Sequence, residues 1–381
     1  MNISHASIKI DLLRKNQDFQ KIGAHKLDAL SYMTNLKTLL FACMRPEAVE
    51  AAHEQIYVHP ALQTPTSGTV TRAELAQALN MALFEDLVQR VPAAQDYMAS
   101  DVLAHQRQVV FDHGALRTVR WASGALPEGE AALTRLLRPL GFTLQGTYPL
   151  PRLKMTGRAY CHQDFPQDIA QFFVSELHPE QFSAPFQSAV TRVLASSRDP
   201  LGPSDVADLE QLARDDTLPL QQALRLLPAM LRCFGRQHAV FSEADYELLL
   251  AESAEMAWIA TEGNAFNHAT DRVADVDAVA ARQRTLGRPI KDKVEVSGSG
   301  RVRQTAFRAA MVPRQFVTAG GCITREVPGS FYEFITRAEL AAELGISALR
   351  AAPGAAPGKR LDLAFDARNA TGIFAMTAGT P

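Results

Sequence analysis

The chain has 381 residues, of which 47% are hydrophobic and 21% charged, enough apolar content to bury a sizeable core. Its 39 Lys and Arg balance 41 Asp and Glu to a net charge of −2, which supplies no basic footprint for nucleic acid or an anionic membrane. Cys43, Cys161, Cys233 and Cys322 are scattered without CxxC spacing, and the apolar run at 38–44 is far too short to span a bilayer. These features exclude a disulfide frame and a cysteine zinc site, and a soluble, cytoplasmic protein with reduced thiols is expected.

In chain order, residues 1–67 form an extension of unassigned role, with helical character at 26–44 and interruptions at Pro46, Pro60 and Pro65. An appendage and a poorly ordered arm both stay open. Thr71-Arg72-Ala73-Glu74 has capping-box form and opens a helix carrying Leu75, Leu79 and Leu83 at helical spacing. A second helix is predicted over 93–106. The run 109–119 then reads as a strand with His113 at its centre, and Arg117 falls on the same face because side chains alternate along a strand. A helix over 127–140 with Gly141 as its stop follows, then strands over 142–148, 152–161 and 171–177.

Residues 179–256 read as an all-helical insertion. After it the earlier order returns: a strand over 265–270 containing His268, a helix over 275–286 ending at Gly287, and a hairpin of 293–297 with 301–309 turning on Gly298-Ser299-Gly300. A closing strand is predicted over 330–337. The expected fold is therefore α+β, built from paired βαβββ modules, with N-terminal helices and the helical insertion. The catalytic unit is placed at 68–351. A helix over 338–351, an Ala-Pro-Gly linker and a tail packing on the catalytic unit complete the chain to residue 381.

His113 and His268 occupy matching places on the opening strands, and Glu333 lies on the last strand of the second module. Two neutral imidazoles and a carboxylate on one metal face form the ligand set of non-haem Fe(II) oxygenases, which leaves positions for substrate and O2. Structural readings stand beside this one. Asn267 and His268 make a plausible hydrogen-bonded core pair, and Arg337 is an alternative partner for Glu333. Glu333 shares its strand face with Phe331 and Ile335, where a carboxylate is costly unless paired or metal-bound. His162 is read as a surface or hydrogen-bonding residue, and Glu176, the counterpart of Glu333, as supporting. Gln304 either hydrogen-bonds a substrate oxygen or fills the sheet. HExxH, GxSxG, P-loop and helix-opening GxGxxG motifs are absent.

The segments FDHGALRTV (111–119), QFFVSELH (171–178), GNAFNHATDRV (263–273), RQTAF (303–307) and VPGSFYEFITR (327–337), with NATGIF in the tail, resemble the 2-oxoadipate dioxygenase/decarboxylase family. That family belongs to the vicinal-oxygen-chelate superfamily, in which βαβββ modules form a half-open barrel around a metal. The resemblance implies Fe(II) held by His113, His268 and Glu333, and Arg117 as the catalytic, substrate-binding arginine. It also implies a reaction of 2-oxoadipate with O2 that gives 2-hydroxyglutarate and CO2, a step in lysine breakdown. His113, Arg117, His268 and Gln304 are the expected substrate contacts. Two other functions are compatible with the fold: a glyoxalase-type metal-dependent isomerase or lyase, and a non-catalytic small-molecule-binding protein.

Overall fold

Two histidine-bearing strands lie side by side at the centre of one curved sheet, and the rest of the sheet grows outward from that seam. The computed structural model describes residues 33–340 and 360–366. Its strands are β1 (Thr69–Thr71), β2 (Phe111–Val119), β3 (Phe142–Leu150), β4 (Met155–His162), β5 (Gln171–Leu177), β6 (Thr217–Pro219), β7 (Phe266–Arg272), β8 (Glu295–Val296), β9 (Val302–Ala306), β10 (Met311–Thr318), β11 (Gly321–Pro328) and β12 (Phe331–Arg337). Eight of them form the half-barrel sheet in the order β3-β4-β5-β2-β7-β12-β9-β8. In each half the first and last strands of the module run parallel, β2 with β5 and β7 with β12. The halves meet where β2 and β7 pair antiparallel. The recurring βαβββ order is thus a real pseudo-symmetric pair, with one departure: the β10–β11 hairpin, left unassigned by the sequence, is inserted before the closing strand.

The helices are α1 (Asn35–Phe41), α2 (Pro46–Gln55), α3 (Arg72–Arg90), α4 (Pro92–Tyr97), α5 (Ala131–Leu137), α6 (Ala184–Leu194), α7 (Pro203–Asp215), α8 (Leu220–Arg232), α9 (Glu243–Glu252), α10 (Ala254–Glu262) and α11 (Val276–Thr285). The α3 capping box forms as expected: the Glu74 backbone N–H donates to Thr71 Oγ1 at 3.2 Å, and the Thr71 N–H donates to Glu74 Oε2 at 2.8 Å. This helix is buried on nearly every side, between the N-terminal helices and the convex face of the sheet. Residues 33–67 therefore belong to the core rather than to an appendage: Leu36, Leu39 and Leu40 are fully buried. Pro46 starts α2 rather than breaking a helix, because the first turn has no use for its missing N–H. The expected 93–106 helix is α4 continued by a wider π-helical turn at 98–103, and the 127–140 helix shortens to α5. Residues 338–340 are extended, with Glu339 bridging Leu361; the rest of the helix expected at 338–351 lies outside the described residues, as does the NATGIF tail.

The helical stretch does two jobs. α7 and α8 join the convex-side core with α3, apart from the short β1–β6 pair that ties 69–71 to 217–219. α6, α9 and α10 plug one end of the barrel, burying Phe186, Val190, Met256 and Trp258 against Val119, Leu177 and the β10–β11 hairpin. The central strands are consequently buried on both faces, as parallel strands require. Among the described residues no helix is long and apolar enough to cross a membrane.

Gly114 sits at the seam, where a methyl group added to its Cα would meet the buried Phe266 ring at 2.2 Å. Phe266 is itself packed among Phe111, Phe172 and Phe234 and has little room to yield. Gly114→Ala is expected to cost about 1–3 kcal/mol of stability through overpacking. Thermal unfolding checks this, and an unchanged melting temperature would contradict the packing described.

Candidate metal centre

The register of the seam builds the centre. Ala306, Glu333, Thr270, His113 and Gln171 are successive cross-strand neighbours, and Phe331, His268, Ala115 and Phe173 form the adjacent row. Strand alternation turns His113, His268, Thr270 and Glu333 into the concave face, while Tyr332 and Phe334 enter the convex-side core. His113 Nε2, His268 Nε2 and Glu333 Oε2 lie 3.4 Å from one another, and all three residues are buried. Among the described residues they are the one group of at least three His, Cys, Asp or Glu side chains whose ligating atoms converge.

The fit to a metal can be judged from the donors themselves. Three atoms spaced 3.4 Å apart lie about 2.0 Å from their common centre, the bond length of a first-row divalent ion to imidazole nitrogen or carboxylate oxygen. Glu333 Oε1 is buried with no hydrogen-bond partner, an uncompensated acceptor that a cation would satisfy. Each imidazole is oriented from behind. His113 Nδ1 bonds Asp112 Oδ1 at 2.8 Å and His268 Nδ1 bonds Asn267 Oδ1 at 3.2 Å, which leaves both Nε2 atoms for the centre. Thr270 Oγ1 donates to Glu333 Oε2 at 2.6 Å and stands 3.2 Å from His113 Nε2. The Asn267–His268 pair and the metal site are therefore the same feature, not competing ones.

Electrostatics favours the metal-binding forms of His268 and Glu333, whereas His113 would exchange a proton for the metal. Burial pushes His268 down to about 3, so it is neutral. Burial works against charge on Glu333, but His268, His113 and the Thr270 hydroxyl outweigh it and hold the carboxyl below its usual range. Burial also lowers His113, yet Asp112 and Glu333 raise it overall, so a metal would replace a proton held between His113 and Glu333. Asp112 itself is kept well below the carboxylate range, against burial, by Arg337 and Arg272. Arg337 thus partners Asp112, through Nε at 2.9 Å and Nη2 at 2.8 Å, rather than Glu333.

The other predicted residues fall as follows. Arg117 is buried on the concave side, its Cζ 5.0 Å from the Trp258 ring centroid, and its charge is felt at His268. Burial lowers its pKa to about 10 against the opposing Glu255, so it is a cation at neutral pH. Gln304 is buried on β9, opposite Ile335 and Glu295. Beside it Lys291 Nζ pairs with Glu295 Oε1 at 2.6 Å, a flank that the sequence did not single out. Glu176 is remote from the centre: it bonds the Glu130 N–H at 2.8 Å and Arg158 Nη1 at 3.3 Å. His162 is buried and structural, its Nδ1 accepting from the backbone N–H groups of Asp164 and Phe165 at 3.2 Å, and burial brings its pKa down to about 4.

Asp112→Asn is expected to weaken divalent-metal affinity about 10–100-fold by loosening the orientation of His113. Equilibrium competition against a chelator measures this, and wild-type affinity in the variant would show that Asp112 does not set the His113 geometry.

Comparison with known proteins adds an independent line. A protein of Mycobacterium tuberculosis named 2-oxoadipate dioxygenase/decarboxylase is 27% identical over 237 residues, covering 58% of this chain and 55% of the relative. The chain thus spans about half the length of the curated relatives it matches. A crystal structure of a glyoxalase-superfamily protein from Ralstonia eutropha JMP134 is 54% identical, covers 87% of this chain and 98% of its own, and superposes with a TM-score of 0.79. The hydroxyglutarate synthase of Oryza sativa, solved in complex with 2-oxoadipate, shares the fold at 17% identity and a TM-score of 0.58, covering 83% of this chain and 97% of its own. Residues 73–348 match the family described as 2-oxoadipate dioxygenase/decarboxylase, a span that contains the whole half-barrel and all three converging side chains. The chain belongs to the 2-oxoadipate dioxygenase/decarboxylase family.

Proposed function

We propose that the chain is a cytoplasmic, Fe(II)-dependent dioxygenase that converts 2-oxoadipate and O2 to 2-hydroxyglutarate and CO2, a step in lysine breakdown. The observation that carries this reading is the buried triangle of His113 Nε2, His268 Nε2 and Glu333 Oε2, with one acceptor left unsatisfied. Two imidazoles and one carboxylate on one side of an ion suit Fe(II) and leave its other side for ligands. When bound, Fe(II) supplies a chelation point for a 2-oxo acid and the redox chemistry that O2 requires. Family membership and the 2-oxoadipate complex of the Oryza sativa relative support this choice of substrate class.

The chain's own residues then have distinct tasks. Asp112 and Asn267 hold the imidazoles in the tautomer that presents Nε2. Thr270 holds Glu333 Oε2, so that carboxylate reaches the ion as a fixed group. Arg117, protonated and backed by Trp258, offers a planar two-point grip for a substrate carboxylate that a lysine would not reproduce. Gln304 supplies an amide on the opposite flank for a substrate oxygen. Burial of the whole set keeps bulk water from the reacting atoms.

Anaerobically purified protein given Fe(II) and then 2-oxoadipate is expected to take up O2, and His268→Ala is expected to abolish the uptake. Uptake that is absent in wild type, or unaffected by that substitution, contradicts the reading; product formed without O2 consumption would favour a glyoxalase-type reaction. Arg117→Lys is expected to lower kcat/KM for 2-oxoadipate about 10–100-fold while changing that for 2-oxohexanoate little. Equal losses on both acids would show that Arg117 does not read the distal carboxylate.

A further inference from the structure

Residues 360–366 pack on the concave side of the sheet and set one ring, Phe365, against His113 and the cluster that contains Ala115, the residue between His113 and Arg117 on their strand face. The Phe365 centroid is 4.9 Å from the His113 ring, edge to face, 4.8 Å from Phe173 and 6.0 Å from Tyr148. These rings form a small cluster with Ala115 and Ala159, separate from both main cores. Ala115 is the residue between His113 and Arg117 on their common strand face, and it pairs with His268 on one side and Phe173 on the other. Ala115, Ala159, Ser175 and Gly157 give this part of the concave face a floor of small residues. Phe365 roofs it.

The roof is fixed by polar contacts. Arg337 Nη1 donates to the carbonyls of Asp362 at 2.8 Å and Ala364 at 2.9 Å, and its Cζ lies 5.2 Å from the Phe365 ring centroid. The Phe365 N–H donates to Tyr148 Oη at 3.2 Å, and the Leu361 N–H to Gln167 Oε1 at 2.9 Å. The other nitrogens of Arg337 hold Asp112. One guanidinium therefore braces His113 from behind and seats the ring that lies against it in front.

We infer that Phe365 is a specificity-determining residue, its ring setting how wide a side chain a 2-oxo acid can carry between His113 and Arg117. This rests on the activity proposed above. A linear chain of methylenes ending in a carboxylate passes under an aromatic ring with favourable contact, whereas an aromatic side chain needs the volume the ring occupies. Phe365 is only half-buried and outside the main cores, so its truncation leaves the fold in place.

The test compares the 381-residue wild-type chain with Phe365→Ala and Phe365→Leu, each loaded with Fe(II) under argon. Phenylpyruvate and 2-oxoadipate are the probes, binding is read by calorimetric titration, and turnover is then read by O2 uptake. The dissociation constant of phenylpyruvate is expected to fall at least about tenfold in Phe365→Ala, with Phe365→Leu between, while 2-oxoadipate binds no better. An unchanged phenylpyruvate constant in both variants overturns the inference. Failure of the wild type to bind or turn over 2-oxoadipate would instead count against the proposed substrate, since the phenylpyruvate comparison decides the role of Phe365 without it.

Discussion

Asp112 is a fully buried carboxylate, and it is stable there because guanidiniums from two other strands close on it. Arg272 of β7 reaches it at 2.7 Å and Arg337 of β12 at 2.8–2.9 Å. Removing one partner of such a buried pair costs about 3–5 kcal/mol, so the arrangement is all or nothing. Because Asp112 belongs to β2, the cluster locks together the three strands that carry His113, His268 and Glu333. The remaining oxygen capacity of Asp112 is spent on His113 Nδ1. Alignment of the strands and orientation of the imidazole thus come from the same charge.

From that lock the centre follows with little freedom. The cross-strand row Glu333–Thr270–His113 brings carboxylate, hydroxyl and imidazole side by side, and His268 enters from the adjacent row. Burial makes His268 neutral, while the histidines and the Thr270 hydroxyl keep Glu333 charged against burial, the two forms in which such groups donate electrons to a cation. The helical plug seals one end of the barrel and presents Trp258, anchored through its Nε1 to the Gly329 carbonyl at 2.9 Å, as a backing for Arg117. The 360–366 segment covers the other side, again through Arg337. Two arginines divide the work: Arg337 is spent on architecture, and Arg117 faces the concave side.

Much of this was legible in the chain because strands buried on both faces carry dense apolar runs, so that a histidine or glutamate inside one stands out. His113, His268 and Glu333 could each be picked that way, and the matching places of the two histidines in repeated modules paired them. What could not be read is whatever depends on a local break of periodicity or on long-range contact. Asp112 and His113 are neighbours that strict alternation would send to opposite faces; an irregularity of β2 between Phe111 and His113 lets them meet. The partners of Asp112 lie 160 and 225 residues away. The β10–β11 hairpin escaped notice because its strands are mostly exposed and carry a weak pattern, with Phe316 and Val327 as their buried anchors. Phe365 sits in a short irregular segment with no period at all. Pro46 misled for the opposite reason: a proline at the first turn of a helix is a start signal, not a stop.

The proposed activity makes the His113–His268–Glu333 cluster a centre for oxygenation with decarboxylation rather than for isomerisation or simple binding. The most direct measurement is turnover of 2-oxoadipate by the Fe(II)-loaded chain under ¹⁸O-labelled O2, with the products analysed by mass spectrometry. The expected product is 2-hydroxyglutarate carrying both labelled atoms, one in the new carboxylate and one in the hydroxyl group, together with unlabelled CO2. A product that retains all six carbons, or 2-hydroxyglutarate without label, would contradict it.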